Sequence, residues 1–198
     1  NELVDAISRS GGGSLAMGIR RSDPEAIEKA VGKLSGEEIE ESERRQIISA
    51  IGELSERGFV GTIIDQLSRE DEATVMVALA SLQKFKEIEA AEAVLERYSN
   101  FSEKLQVAAR TMLSSRLEWS LRWLEAIQAG RMSKESMPSY VVEGLARHDD
   151  RKIDSLVGKL WRAGGEMPSD DRDVEIAKLK RILDGAEFSG DRYSGRDV

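Results

Sequence analysis

The feature that most constrains this chain is an apolar pattern that returns about once every 30 residues. Ile47, Ala50, Ile51 and Leu54 are matched by Val75, Ala78, Leu79 and Leu82 at an offset of 28, and by Leu105, Ala108, Ala109 and Met112 after a further 30. Each set is a stripe at helical spacing with a small residue inside it. A second stripe follows each one: Val60, Ile63, Ile64 and Leu67, then Ile88, Ala91, Val94 and Leu95, then Leu117, Leu121, Leu124 and Ile127. One such helix pair cannot bury its apolar surface without neighbours, so the period predicts a stacked helical solenoid.

Composition agrees with helices and narrows the partners. With 198 residues and 40% hydrophobic content the chain can hold one domain or one elongated array. Aromatics are 5%, prolines number three, and β-branched alternation is rare, so sheet-forming signals are nearly absent. The net charge of −8, from 37 acidic and 29 basic residues, argues against a nucleic-acid surface, which clusters Lys and Arg. There is no cysteine, hence no disulfide, thiolate metal site or cysteine nucleophile. No apolar run approaches the roughly 20 residues of a membrane span. The start at Asn1 and the end at Asp197-Val198 read as a piece of a longer protein, with any export signal expected outside it.

Along the chain, residues 3–20 predict a first helix, with a break or loop expected across Ser10-Gly11-Gly12-Gly13-Ser14. Ser22-Asp23-Pro24-Glu25 is a helix start, combining a capping side chain, a proline preset for the first turn and an acid near the positive end of the dipole. Glu37, Glu38, Glu40, Glu41 and Glu43, followed by Arg44-Arg45, read as a solvated first turn rather than an acidic binding patch. Asp71-Glu72 and Ser102-Glu103 stand at the same place in the next two units and favour capping. Met137, Tyr140, Val141, Leu145 and Ala146 predict a further helix, and Ile153, Leu156, Val157, Leu160 and Trp161 another. A final helix is expected to carry Val174, Ile176, Leu179, Ile182 and Leu183, after which the chain turns polar and Gly-rich.

Chemistry-bearing motifs are sparse. His148 with Asp149 and Asp150 invites a proton-relay or metal reading. Residues adjacent in sequence do not face one another on a helix, so a helix-terminal His followed by caps for the next helix fits better. Gly11-Gly12-Gly13-Ser14 lacks the lysine and spacing of a phosphate loop. Asn100-Phe101-Ser102 fits a glycosylation sequon and, better, a helix cap. No catalytic, cofactor-binding or metal residue is assigned. Trp119 and Trp123 lie opposite Leu117, Leu121 and Leu124 on one helical wheel. They are expected in the core of a stacked array, and an exposed pair would be a possible partner contact.

The stretch from Leu117 to Met132, with Trp119, Trp123 and Gly130, resembles a block in large exported proteins of planctomycetes and related bacteria described as membrane-bound dehydrogenase-like or haem-binding. Leu160-Trp161-Arg162, Met167-Pro168 and the run Ile176–Leu183 continue the resemblance. So does the tail Gly190–Val198, since in that family a Gly-Arg-x-apolar-Phe segment leads into a CxxCH haem-attachment motif. The resemblance implies a parent that joins a dehydrogenase-like β-propeller, HEAT-type repeats and a c-type cytochrome, exported to the periplasm or beyond. Haem c would belong to the parent and none to this piece.

The expectation is therefore an all-α, right-handed superhelix of HEAT or armadillo type over residues 1–183, with 184–198 as a linker toward a cytochrome domain. The function expected is a non-catalytic scaffold or spacer between the other domains of the parent. The alternative is a protein-interaction module that binds a peptide or partner subunit on the concave face formed by the second helices.

Overall fold

A computed structural model describes residues 12–36 and 39–162, and these residues are all-helical, with no strand among them. Ten α-helices follow in order: α1 Gly12–Arg20, α2 Pro24–Ser35, α3 Glu41–Leu54, α4 Val60–Asp65, α5 Glu72–Leu82, α6 Ile88–Arg97, α7 Glu103–Leu113, α8 Leu117–Gln128, α9 Ser139–Leu145 and α10 Arg151–Val157. Tight 3-10 turns extend α4, α6 and α9, and a π-type turn over Gly158–Arg162 extends α10. The boundary expected near residue 184, the helix expected over 174–183, and Glu37 and Glu38 lie outside the described residues.

Side chains start several helices, as their sequence positions require. Asp23 accepts from the Glu25 amide at 3.1 Å, with Pro24 in the first turn. Asp71 accepts from the Thr74 amide at 2.8 Å, and Ser102 from the Leu105 amide at 3.3 Å. Each satisfies an amide that the first helical turn leaves without a partner. The Asn100-Phe101-Ser102 stretch thus serves as the entry to α7.

Alternate helices touch, which arranges the chain in two rows. In one, α1 packs on α3, α3 on α5 and α5 on α7. In the other, α2 packs on α4, α4 on α6, α6 on α8 and α8 on α10. The recurring stripes supply the shared core: Ile47, Ala50 and Ile51 of α3, Val75, Ala78, Leu79 and Leu82 of α5, and Leu105, Ala109 and Met112 of α7 are all buried. Small residues let the rows close up. A Cβ added to Gly52 would stand 2.6 Å from Cβ of Ser81, so α3 and α5 approach as closely as a glycine permits.

Polar contacts cross between the units at nearly one repeat length. Arg20 pairs with Glu53 at 2.6 Å, Thr74 Oγ1 donates to Glu41 Oε2 at 2.7 Å, Ser81 Oγ to the Ile48 carbonyl at 3.3 Å, and Arg116 to the Gln83 carbonyl at 3.0 Å. Each of these spans 33 residues. Ser102 Oγ donates to Glu72 Oε2 across 30 residues. Hydrogen bonds thus tie successive units together alongside the apolar stripes.

Three expectations need correction. Gly12, Gly13 and Ser14 form the start of α1 rather than a loop; Leu15, Ala16 and Ile19 bury against the core, and this packing outweighs the poor helix propensity of glycine. Tyr140, expected on a core stripe, is 50% exposed, because α9 is short and buries Val141, Val142 and Leu145 instead. Arg44, expected in a solvated turn, is fully buried. Its guanidinium donates to the carbonyls of Leu34 and Gly36 at 2.9 Å each and to Gln66 Oε1 at 3.2 Å. Its Nε lies 3.4 Å from Glu41 Oε1, an ion pair rather than an aligned hydrogen bond. Burial, with Arg69 as a secondary cause, pulls its pKa below the usual arginine value. Arg44 thereby closes the carboxyl end of α2, whose last carbonyls have no partner within the helix.

Two substitutions test this packing. Ala78→Asp puts a carboxylate at a fully buried site and is expected to cost about 3 kcal/mol or more. Urea denaturation reads the loss, and an unchanged midpoint would refute the repeat alignment. Arg44→Met keeps the volume but strands the Leu34 and Gly36 carbonyls; the expected loss is about 2–4 kcal/mol with the denaturant slope unchanged.

Candidate binding groove

The residues that sequence reasoning singled out do not form the site. Trp119 and Trp123 have 0% exposure, so both rings belong to the core and neither presents a surface to a partner. The reason is the double row: the face of α8 opposite Leu117 and Leu121 is covered by neighbouring helices rather than by water. The Arg116 guanidinium lies 5.1 Å from the Trp119 ring centroid, a cation–π distance, while the Trp119 indole N–H has no acceptor among the described residues.

His148, in the 3-10 turn after α9, points its Nε2 at the Ser114 carbonyl, 3.1 Å away, and at Ser120 Oγ, 3.2 Å away. A carbonyl only accepts, so Nε2 carries the proton in this contact. Ser120 is fully buried, and its hydroxyl donates to the Leu113 carbonyl at 3.1 Å. The pair has the separation of a nucleophile and base, yet both members are committed to the last carbonyls of α7, so the arrangement is a cap. Asp149 adopts a left-handed φ of 49°, and Asp150 caps α10 by accepting from the Lys152 and Ile153 amides at 2.9 and 3.1 Å. No group of His, Cys, Asp or Glu among the described residues is arranged to hold a metal ion. No helix among them is long and apolar enough to cross a membrane.

The surface opens instead where α6, the beginning of α7, α8 and the 131–136 loop meet, in a groove of about 740 Å³. Leu95, Ala126 and Met132 give it apolar lining, and Glu96, Arg131 and Glu135 give it charge. Arg122 also lines it, but its guanidinium is shared between Glu92 at 3.8 Å and Glu125 at 3.4 Å. Glu125 is bound in turn by Lys152 at 2.6 Å. That contact, foremost, holds its carboxyl below the usual range and ties α8 to α10.

The wall formed by the 131–136 loop is fixed by a buried tyrosine. The Tyr98 hydroxyl accepts from Arg110 Nε at 2.7 Å and donates to the Ser136 carbonyl at 3.0 Å. Trp123 Nε1 donates to Ser136 Oγ at 3.3 Å, and that hydroxyl donates in turn to the Ser133 carbonyl at 2.6 Å. The Tyr98 and Trp123 rings stand 6.2 Å apart, tilted by 44°. On the other side of the loop, Lys134 Nζ donates to the Leu160 carbonyl at 2.5 Å. The sequence places Trp119 and Trp123 in the core, as found, but does not assign the roles of Tyr98 and Ser136. An aromatic at the end of the second helix was the available signal.

Comparison of the chain with protein-family models, curated proteins and solved structures finds no match.

Burial is the largest influence on Tyr98 and raises its phenol pKa, outweighing the opposing pull of the Arg110 hydrogen bond. A pKa raised on folding means that Tyr98 stabilises the fold fully below the ordinary tyrosine range and that this contribution is lost as pH rises through the folded value. In an alkaline titration followed by ultraviolet absorbance, Tyr98 is expected to ionise above the ordinary tyrosine range. Tyr98→Phe should remove the late component and cost about 1–2 kcal/mol through the lost hydroxyl bridge. A titration without any late component would contradict the burial of the Tyr98 hydroxyl.

Proposed function

We propose that this chain is a non-catalytic helical-repeat scaffold of HEAT or armadillo type that acts as a spacer within a larger exported protein, holding a c-type cytochrome in fixed relation to a dehydrogenase-like domain. The observation that carries the scaffold reading is the ladder of polar contacts about 33 residues apart. It joins each unit to the next and gives the stack a defined geometry, which is what a spacer contributes. The cytochrome and dehydrogenase partners rest on the sequence resemblance of Leu117–Met132 and the tail.

Haem would be held by the parent rather than by these residues. The chain has no cysteine for a thioether link, and the Nε2 of its sole histidine is engaged by the Ser114 carbonyl. The test is the coding sequence downstream of Val198, with a haem stain and absorbance spectrum of the extended protein. A CxxCH shortly after Val198 and covalently bound haem are expected. An extension without that motif would remove the cytochrome part of the reading.

A second reading, a protein-interaction module, is favoured by the groove. Its walls are set by hydrogen bonds before any ligand arrives, the preorganisation that binding sites need.

A further inference from the structure

The first row of helices stops at α7, because α9 does not pack on α7 as α7 packs on α5. Two of the three large apolar side chains exposed among the described residues belong to these two helices, Val107 at 49% and Tyr140 at 50%. Arg110 follows Val107 by three residues and so shares its helical face. Its Nε donates to the Tyr98 hydroxyl at 2.7 Å and one terminal nitrogen to Gln106 Oε1 at 3.4 Å. The other terminal nitrogen has no hydrogen-bond partner among the described residues and is not buried. Burial is the largest influence on this guanidinium and lowers its pKa; the hydroxyls of Tyr98 and then Tyr140, which stands beside it, together outweigh burial and hold it above the usual arginine value. The other half-buried arginines, Arg45, Arg69, Arg97 and Arg116, each reach a carboxylate or a backbone carbonyl. Arg110 is held by neutral side chains, which fix its direction and leave its charge without a counter-ion among the described residues.

The charges around it do not cancel that cation. Glu143 and Arg147 stand four residues apart, on α9 and the turn that follows, and offset one another. Lys104 is paired with Glu72 at 3.5 Å, and Glu103 lies two helical turns from Arg110, about 10 Å along the axis. The net charge of −8 repels an anion at long range, but physiological salt screens exposed charges beyond about 8 Å, so the local cation governs the contact.

We propose that Arg110 and Tyr140 form a carboxylate-binding site for a segment of a partner protein in which an aspartate or glutamate adjoins an apolar side chain. The free terminal nitrogen of Arg110 and the Tyr140 O–H donate to the carboxylate, and the apolar side chain packs on Val107 and the Tyr140 ring. One cation matches the single charge of a carboxylate, whereas a phosphate carries nearly two charges and calls for more than one. The site goes beyond the interaction-module reading: Arg110, Val107 and Tyr140 line no part of the groove, so either can fail without the other.

The test uses the full chain, isotope-labelled for nuclear magnetic resonance, and a short acetylated and amidated peptide with a glutamate between two leucines. Counterparts carry glutamine or phosphoserine in place of the glutamate. The glutamate peptide is expected to shift the Arg110 Nε–H signal and to bind at least fivefold tighter than the glutamine peptide. Arg110→Gln should bring its affinity down to that of the glutamine peptide, and Tyr140→Phe, which keeps the exposed ring, should weaken it at least twofold. The control Arg147→Gln, which removes an exposed cation of the neighbouring turn, should change affinity less than twofold. Circular dichroism of each variant verifies that it is folded.

Equal binding of the glutamate and glutamine peptides, or equal losses from Arg110→Gln and Arg147→Gln, would overturn the proposal and leave the groove reading untouched. Absence of binding by every peptide would overturn it as well. Tighter binding of the phosphoserine peptide would assign the site to a phosphate and overturn the carboxylate. If Arg110→Gln does not fold, Tyr140→Phe decides, and an affinity equal to that of the unmodified chain would overturn the proposal.

Discussion

The close approach of α3 and α5 is the constraint from which the other arrangements follow. Gly52 and Ser81 meet where no larger pair would fit, and Ala50 and Ala78 are fully buried. That proximity lets the Ser81 hydroxyl reach the Ile48 carbonyl and brings Thr74 within reach of Glu41. The Ser81 and Thr74 side chains are short, so these two contacts exist only while the backbones stay near. Apolar burial supplies most of the stabilisation of the row, and the polar contacts fix its register.

Much of this architecture was legible because periodic burial leaves a periodic sequence. The stripes of α3, α5 and α7 could be aligned residue by residue, and Asp23, Asp71, Ser102 and Asp150 cap helices where capping rules place them. What could not be read was the direction of individual polar side chains. Arg44 stands in a run of charge that looks solvated, and only the position of the α2 carboxyl end explains why it turns inward. Gly12 and Gly13 show the same limit in reverse: local propensity favours a loop, and contact with α3 decides otherwise.

The groove was less legible still. It is made from the end of one helix, the beginning of the next, the last turn of a third and a loop, so its residues follow no period. Trp119 and Trp123 lie opposite the apolar stripe of α8, and both are buried, as expected for a helix with neighbours on each side. Tyr98 gave little warning of its role. Its importance arises from Arg110 and Ser136, 12 and 38 residues away along the chain.

The 131–136 loop is fastened at both sides, to Tyr98 ahead of it in the chain and to the Leu160 carbonyl behind it. It therefore bridges three successive units, as a crossbar does between the ribs of a fan. Any bending of the array that opens or closes the angle between those ribs must pull on the bar and alter the width of the groove beside it. Losing either hydrogen bond would leave that wall of the groove supported from one side alone.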